Sequence, residues 1–185
     1  HANIPMLKKP GFEADDIIGT VSKKAEKEGY DVTIVSGDKD MMQLLSSNIK
    51  MLDTLKNKTF GVKEVKEKFG VGPGQVTEVM GLMGDSSDNI PGVPGIGPKT
   101  ATALIQDYGD IENLLKNLEK IKKEALKIKL SKYAEQARLS KKLCIIDTNV
   151  RLPIGIEEMK AKKLDSKRLI SLFKELEFAS LLSRV

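Results

Sequence analysis

The stretch from Gly84 to Ala101, GDSSDNIPGVPGIGPKTA, constrains this chain more than any other. Its first half, Gly84-Asp85-Ser86-Ser87-Asp88-Asn89, sets two carboxylates three residues apart, beside a glycine and two hydroxyls. Its second half, Gly92-Val93-Pro94-Gly95-Ile96-Gly97-Pro98-Lys99, follows at once. Glycines let the backbone take positive φ and approach a ligand closely. Pro98 suits the first position of a helix, where its missing N–H costs nothing. The turn therefore aims backbone N–H groups at whatever lies before that helix, an arrangement that suits an anion and above all a phosphate. Carboxylates able to hold a metal, beside a backbone nest able to hold a phosphate, point to a nuclease.

The acids elsewhere extend this reading. Seven fall in three short segments: Glu13, Asp15 and Asp16; Asp38 and Asp40; Asp85 and Asp88. The chain as a whole carries a net charge of +5, so the residues outside these seven acids sum to +12. A basic protein that gathers its acids this way is suited to a hard divalent cation such as Mg²⁺ or Mn²⁺, which takes oxygen ligands. A paired-metal site needs carboxylates from several elements around ions about 3.5–4 Å apart. Each segment also has a plainer reading. Acids in the first turn of a helix complement its dipole. Asp-rich turns are common after strands. Asp85 and Asp88 could form an Asx-turn and a cap. An EF-hand is excluded, because position six counted from Asp85 is Ile90 and not glycine.

Periodicity supplies the framework. Pro10-Gly11 precedes a helix from about Phe12 to Glu28, with Ala14, Ile17, Ile18, Val21 and Ala25 on one face and Gly29 as its stop. Residues 31–36, DVTIVS, read as a strand buried on both faces of a parallel sheet. Asp38 and Asp40 would lie beyond its carboxyl end, where ligands of α/β sheets bind. A short helix at 41–45, a strand at 49–52 and a turn with a short strand at 56–62 follow. Helices are expected at 62–69, 74–83 and 98–108, then a short one capped by Gly109-Asp110. Residues 120–142 hold nine Lys or Arg against two Glu, on an amphipathic helix with Leu126, Leu130, Tyr133 and Ala137 inward. Leu143–Ile146 reads as a strand, and a last helix runs from Asp165 to about Glu177.

With 185 residues the chain suits one domain or a domain with an appendage. Residues 1–83 read as part of an α/β metal-binding core, 84–142 as a hairpin and basic helical region, and 143–185 as a closing strand and helix. The single cysteine, Cys144, lies in an apolar run and reads as a core residue. One cysteine permits no internal disulfide and fits a reducing, cytoplasmic compartment. No run is long and apolar enough to span a membrane. The chain opens without an initiator Met and with no strand before its first helix, and so reads as a piece of a longer protein.

Together these motifs resemble the 5′-nuclease domain of bacterial DNA polymerase I and, more broadly, the flap endonuclease family. The residues that carry the resemblance are Gly11-Phe12-Glu13-Ala14-Asp15-Asp16-Ile17-Ile18, Gly37-Asp38-Lys39-Asp40-Met41-Met42-Gln43-Leu44, and Leu82 through Ala101. The resemblance implies an α/β fold with a PIN-like, Rossmann-like sheet, flanking helices and a helix-hairpin-helix DNA-binding region. It implies that all seven acids are direct or water-mediated ligands of two or more Mg²⁺ or Mn²⁺ ions, with Asp15, Asp38 and Asp85 central to catalysis. Gly92, Gly95, Ile96, Gly97, Lys99 and Thr100 become duplex-binding residues, with K⁺ held at the hairpin. The implied substrates are DNA duplexes with 5′ ends or flaps and RNA primers on DNA, with a polymerase domain following in the parent chain. The family's first strand with its catalytic Asp, a second acidic motif and a basic arch precede the EADD helix and have no counterpart in this sequence. The sheet is therefore expected to be incomplete. The rival reading from another class is a non-catalytic duplex-binding module. A toxin-type RNA nuclease of similar sheet is disfavoured, because such proteins lack the hairpin.

Overall fold

A computed structural model describes residues 2–184. The elements are α1 (Ala14–Lys27), β1 (Val32–Val35), β2 (Ile49–Asp53), β3 (Lys58–Phe60), α2 (Val62–Phe69), α3 (Val76–Met83), α4 (Pro98–Tyr108), α5 (Ile111–Lys116), α6 (Glu124–Lys132), α7 (Ala134–Cys144), α8 (Ser166–Glu175) and α9 (Ala179–Leu182). A 3₁₀ helix, Lys39–Leu44, joins β1 to β2. The fold is mixed α/β: a small sheet of order β1-β2-β3 among many helices. β1 and β2 run parallel with Val32 opposite Ile49, and β3 returns antiparallel with Phe60 opposite Met51.

One apolar cluster runs from Ile34 and Met51 in the sheet, through Val79, Met80 and Leu82 of α3, to Leu130, Ala137 and Cys144. α3 carries the structure, packing chiefly on α7 and α4. Its position is locked by Glu78, which is 8 % exposed. Glu78 Oε1 lies 2.5 Å from Lys141 Nζ, and Oε2 accepts the Ile111 N–H at 3.1 Å. Removing the buried Glu78 would leave the Ile111 N–H without its acceptor and the partly exposed Lys141 without its counter-ion. Glu78→Ala is therefore expected to cost about 3 kcal/mol in denaturant unfolding, while Glu78→Gln, which keeps an acceptor for Ile111, costs less. Equal losses in the two variants would refute this role.

Several expectations are corrected. β1 is not buried on both faces: Ile34 is buried, but Val35 is 63 % exposed. β1 is the outer strand of the described sheet, so its β-branched composition reports strand propensity and not burial. The apolar stripe of α1 shares this exposure. Its buried residues are Gly19, Thr20, Ser22 and Ala25, whereas Ile17, Ile18 and Val21 line an apolar groove of about 490 Å³ with β1. Leu143–Ile146 is not a strand. Leu143 and Cys144 finish α7, and the Ile146 N–H is taken by the Gln43 side chain at 3.0 Å instead of a ladder. The single helix expected over 120–142 is two, parted at Tyr133 (φ −108°), although Leu130 and Ala137 do point inward. The helix expected from Asp165 to about Glu177 is α8, in which Leu169 is buried, and the short α9 follows it. No helix among the described residues is long and apolar enough to cross a membrane.

Candidate metal centre

Two loops and one helix start deliver the carboxylates. Asp38 caps the 3₁₀ helix after β1, where its Oδ1 accepts the Asp40 N–H at 2.9 Å. Its own N–H donates to Ser36 Oγ at 3.0 Å. The loop after α3 is a small hairpin in which Asp85 and Ile90 exchange both backbone hydrogen bonds, at 2.9 and 2.7 Å. Asp85 Oδ1 accepts the Ser87 N–H at 2.9 Å, an Asx-turn inside the same loop. The first turn of α1 supplies Asp15.

One oxygen each from Asp40, Asp85 and Asp88 lie within 4.8 Å of one another. Asp40 Oδ1 is buried and has no hydrogen-bond partner. Asp85 Oδ2 is equally buried and has only the Lys39 ammonium, 2.5 Å away, close enough for an ion pair but poorly directed as a hydrogen bond. Burial, then repulsion from Asp38, Asp85 and Asp88, pushes the Asp40 carboxyl up to about 6. Burial, then Asp38, Glu13, Asp16 and Asp88, raises Asp15. Asp38 and Asp88 thus act on both groups and tie Asp15 to the cluster electrostatically. Burial also works to raise Asp85, but the Lys39 contact and the Ser87 N–H outweigh it, and its carboxyl stays below the usual range. The Asp85 contact in turn holds Lys39 above its ordinary value. Converging oxygens, an orphaned buried lone pair and carboxylates held together against repulsion fit a hard divalent cation.

The seven acids do not converge equally. Asp40, Asp85 and Asp88 share ligating distance, and Asp15 and Asp38 border them. Asp16 is committed to the fold: Oδ2 accepts the Glu13 N–H at 3.2 Å and Oδ1 the Asp147 N–H at 2.8 Å. Glu13 is exposed at the N-cap of α1. Of the six hairpin residues, Gly95, Gly97, Lys99 and Thr100 are exposed, Gly92 is buried, and Ile96 is 3 % exposed with its side chain in the core. Gly97 caps α4, with Pro98 at its first position. Lys129 Nζ lies 2.6 Å from where a Gly95 Cβ would stand, so α6 reaches the hairpin.

Four positioning residues escaped the sequence reading. Gln43 Nε2 donates to Asp40 O at 3.0 Å and Cys144 O at 2.9 Å, tying the acidic turn to α7. Ser140 Oγ accepts the Gly92 N–H at 3.0 Å, and Gln136 Nε2 donates to Gly92 O at 2.6 Å, which fixes the far side of the acidic loop. Lys39, paired with Asp85, and Gln43 both lie within the Gly37–Leu44 motif, the signal that could have marked them. Beside the acids opens a cleft of about 370 Å³ lined by Asp38, Asp88, Lys39, Lys56 and Lys68.

Two family descriptions match this chain: "5′-3′ exonuclease, N-terminal resolvase-like domain" over residues 1–70 and "5′-3′ exonuclease, C-terminal SAM fold" over residues 71–167. A DNA polymerase I of Rhizobium leguminosarum is 43 % identical over 183 residues, covering 99 % of this chain and 18 % of that protein. A 5′-3′ exonuclease of Aquifex aeolicus is 39 % identical over 184 residues, covering 100 % of this chain and 62 % of its own length. The chain thus spans about a fifth of the polymerase relatives it matches. Among solved structures, the T5 5′-exonuclease with divalent metal ions (zinc) bound superposes with a TM-score of 0.71 at 25 % identity, over 78 % of this chain and 54 % of that one.

Proposed function

The chain belongs to the 5′-3′ exonuclease family, and from that premise we propose that it is part of a metal-dependent 5′ nuclease that hydrolyses DNA phosphodiesters at 5′ ends and 5′ flaps. The observation that carries this reading is the convergence of Asp40, Asp85 and Asp88 around an orphaned buried oxygen. Asp40, Asp85 and Asp88 would hold the ion, with Asp15 and Asp38 bordering it and Glu13 and Asp16 at its outer edge. Mg²⁺ or Mn²⁺, as two or more ions, would supply Lewis-acid polarisation of the phosphate and an acidified water. The chain's own residues bind and orient. Gly95, Gly97, Lys99 and Thr100 present backbone and charge to duplex phosphates, Gly92 and Ile96 hold that hairpin from beneath, and the turn from Gly92 to Gly97 would be the place to hold K⁺. Recognition is by phosphates and junction shape, so affinity falls steeply with salt. Primer and flap removal in the bacterial cytoplasm, in a parent protein with a polymerase domain, is the setting that the polymerase relatives favour.

A labelled 5′-flap duplex incubated with this chain and Mn²⁺ tests the reading. Cutting is expected to stop with chelator and to fall about 10³-fold in Asp85→Asn, since an ion supplies several kcal/mol of charge stabilisation. Cutting that survives chelator and Asp85→Asn sinks the metal assignment. Salt-sensitive binding without any cutting favours the non-catalytic duplex binder.

A further inference from the structure

Three ammonium groups meet at the opening of the carboxylate centre. Two are committed: Lys39 lies 2.5 Å from Asp85, and Lys56 lies 2.8 Å from the buried Asp53. Lys68, in the last turn of α2, lines the same cleft and forms no ion pair among the described residues. Its ammonium lies 5.5 Å from the centre of the Phe69 ring, a core residue at the end of α2. Burial, then the nearby charges of Lys39 and Lys56, pulls Lys68 below its ordinary lysine range. Asp40 and Asp38 offset part of this repulsion, but neither forms an ion pair with Lys68, whose exposed ammonium is left open to an anion arriving from solvent. The cleft also carries Asp38 and Asp88. A ligand that fills it must therefore present negative charge to the lysines while its neighbouring group meets the carboxylate centre. A phosphodiester backbone does both, with one phosphate at the centre and the next on the lysines.

Resting on the nuclease reading above, we infer that Lys68 is a positioning residue that holds the backbone phosphate adjacent to the one at the carboxylate centre, and so sets where along the strand the cut falls. Lys56, which faces the same cleft but is paired with Asp53, plays the lesser part.

Binding of a fluorescent 5′-flap duplex, measured across salt in Ca²⁺, reads this without turnover. Lys68→Ala is expected to reduce the slope of log affinity against log salt by about 0.9, the loss of one phosphate contact. Lys68→Arg should restore it. Lys66→Ala, on the same helix but outside the cleft, should leave it unchanged. An uncharged methylphosphonate placed in turn on either side of the scissile phosphate should weaken binding of the parent chain at one of the two positions and add nothing there in Lys68→Ala. An unchanged slope in Lys68→Ala, or additive losses at both positions, overturns the assignment. Should the parent chain show no Ca²⁺-dependent binding at all, the nuclease reading falls and takes this inference with it. Ca²⁺-dependent binding with a silent Lys68→Ala overturns this inference alone.

Discussion

Asp40→Asn is expected to raise the melting temperature of the metal-free chain and to remove most of its divalent-ion binding. The two effects share one cause. The Asp40 carboxyl is pushed up to about 6 by burial and by Asp38, Asp85 and Asp88, against about 3.9 in an unfolded chain. A carboxyl whose folded pKa is raised contributes most to stability when protonated. That contribution is complete below the unfolded value and is lost as pH rises through about 6. At neutral pH the ionised group is a burden, worth about 1–2 kcal/mol once solvent screening of a partly exposed side chain is allowed for. Asparagine keeps the shape and sheds the charge, so a gain of about 3–6 °C in melting temperature is expected at pH 7.5. The parent chain should lose stability between about pH 4 and 6, and the variant should not. Ion binding must displace the same proton, so Mn²⁺ affinity of the parent should climb with pH to about 6 and then level. In Asp40→Asn affinity should drop by at least ~100-fold, beyond the 10–100-fold typical of outer-shell losses. Calorimetric melting and Mn²⁺ titration by paramagnetic resonance measure both. A variant that melts lower, or that binds Mn²⁺ as the parent does, removes Asp40 from the centre.

The elements legible in the sequence are those set by local chemistry. α4 begins at Pro98 and ends before Gly109 as expected, because a proline at the start and a glycine past the end act through their own backbone. The acidic clusters were visible because charge concentrated in a basic chain has no local explanation that covers all of it. The choice among the acids was not legible. Asp15 and Asp16 are adjacent and chemically alike, yet both oxygens of Asp16 accept backbone N–H groups, one of them from Asp147. Gln43 and Ser140 were silent for the same reason. Their partners lie 101 and 48 positions away, and no periodicity marks an uncharged side chain that works at such range. The misreadings of β1 and of Leu143–Ile146 share another cause. A β-branched or apolar run states a preference, while the neighbours that would honour it are set by the whole fold.

Gly92→Ala should be among the most damaging single changes in the chain, at about 4 kcal/mol. Gly92 has φ +58°, and a Cβ there would meet Gly84 N at 2.2 Å, the Met83 carbonyl carbon at 2.5 Å and Gly84 Cα at 2.6 Å. All three are backbone atoms at the neck of the acidic hairpin, so no side-chain movement relieves the clash. The left-handed conformation alone costs about 1–2 kcal/mol for alanine, and forcing atoms into a packed site adds about 1–3 kcal/mol. Opening the neck pulls Gly92 from Ser140 and Gln136 and frees the Asp85–Ile90 pair. Ion binding and hairpin binding should therefore fail together, with faster hydrogen exchange at the Asp85 and Ile90 amides. Gly95→Ala provides the contrast. Its φ is also left-handed, at +72°, but the atom in its way is the end of the flexible Lys129 side chain, 2.6 Å off. The cost there should be confined to about 1–2 kcal/mol of backbone strain, weakening duplex binding while ion binding persists. Equal losses in the two variants, or a Gly92→Ala chain within about 1 kcal/mol of the parent, would show that the neck yields and that the hairpin glycines share one role. The expected split assigns them two: Gly92 closes the acidic loop on α7, and Gly95 clears the surface that a phosphate approaches.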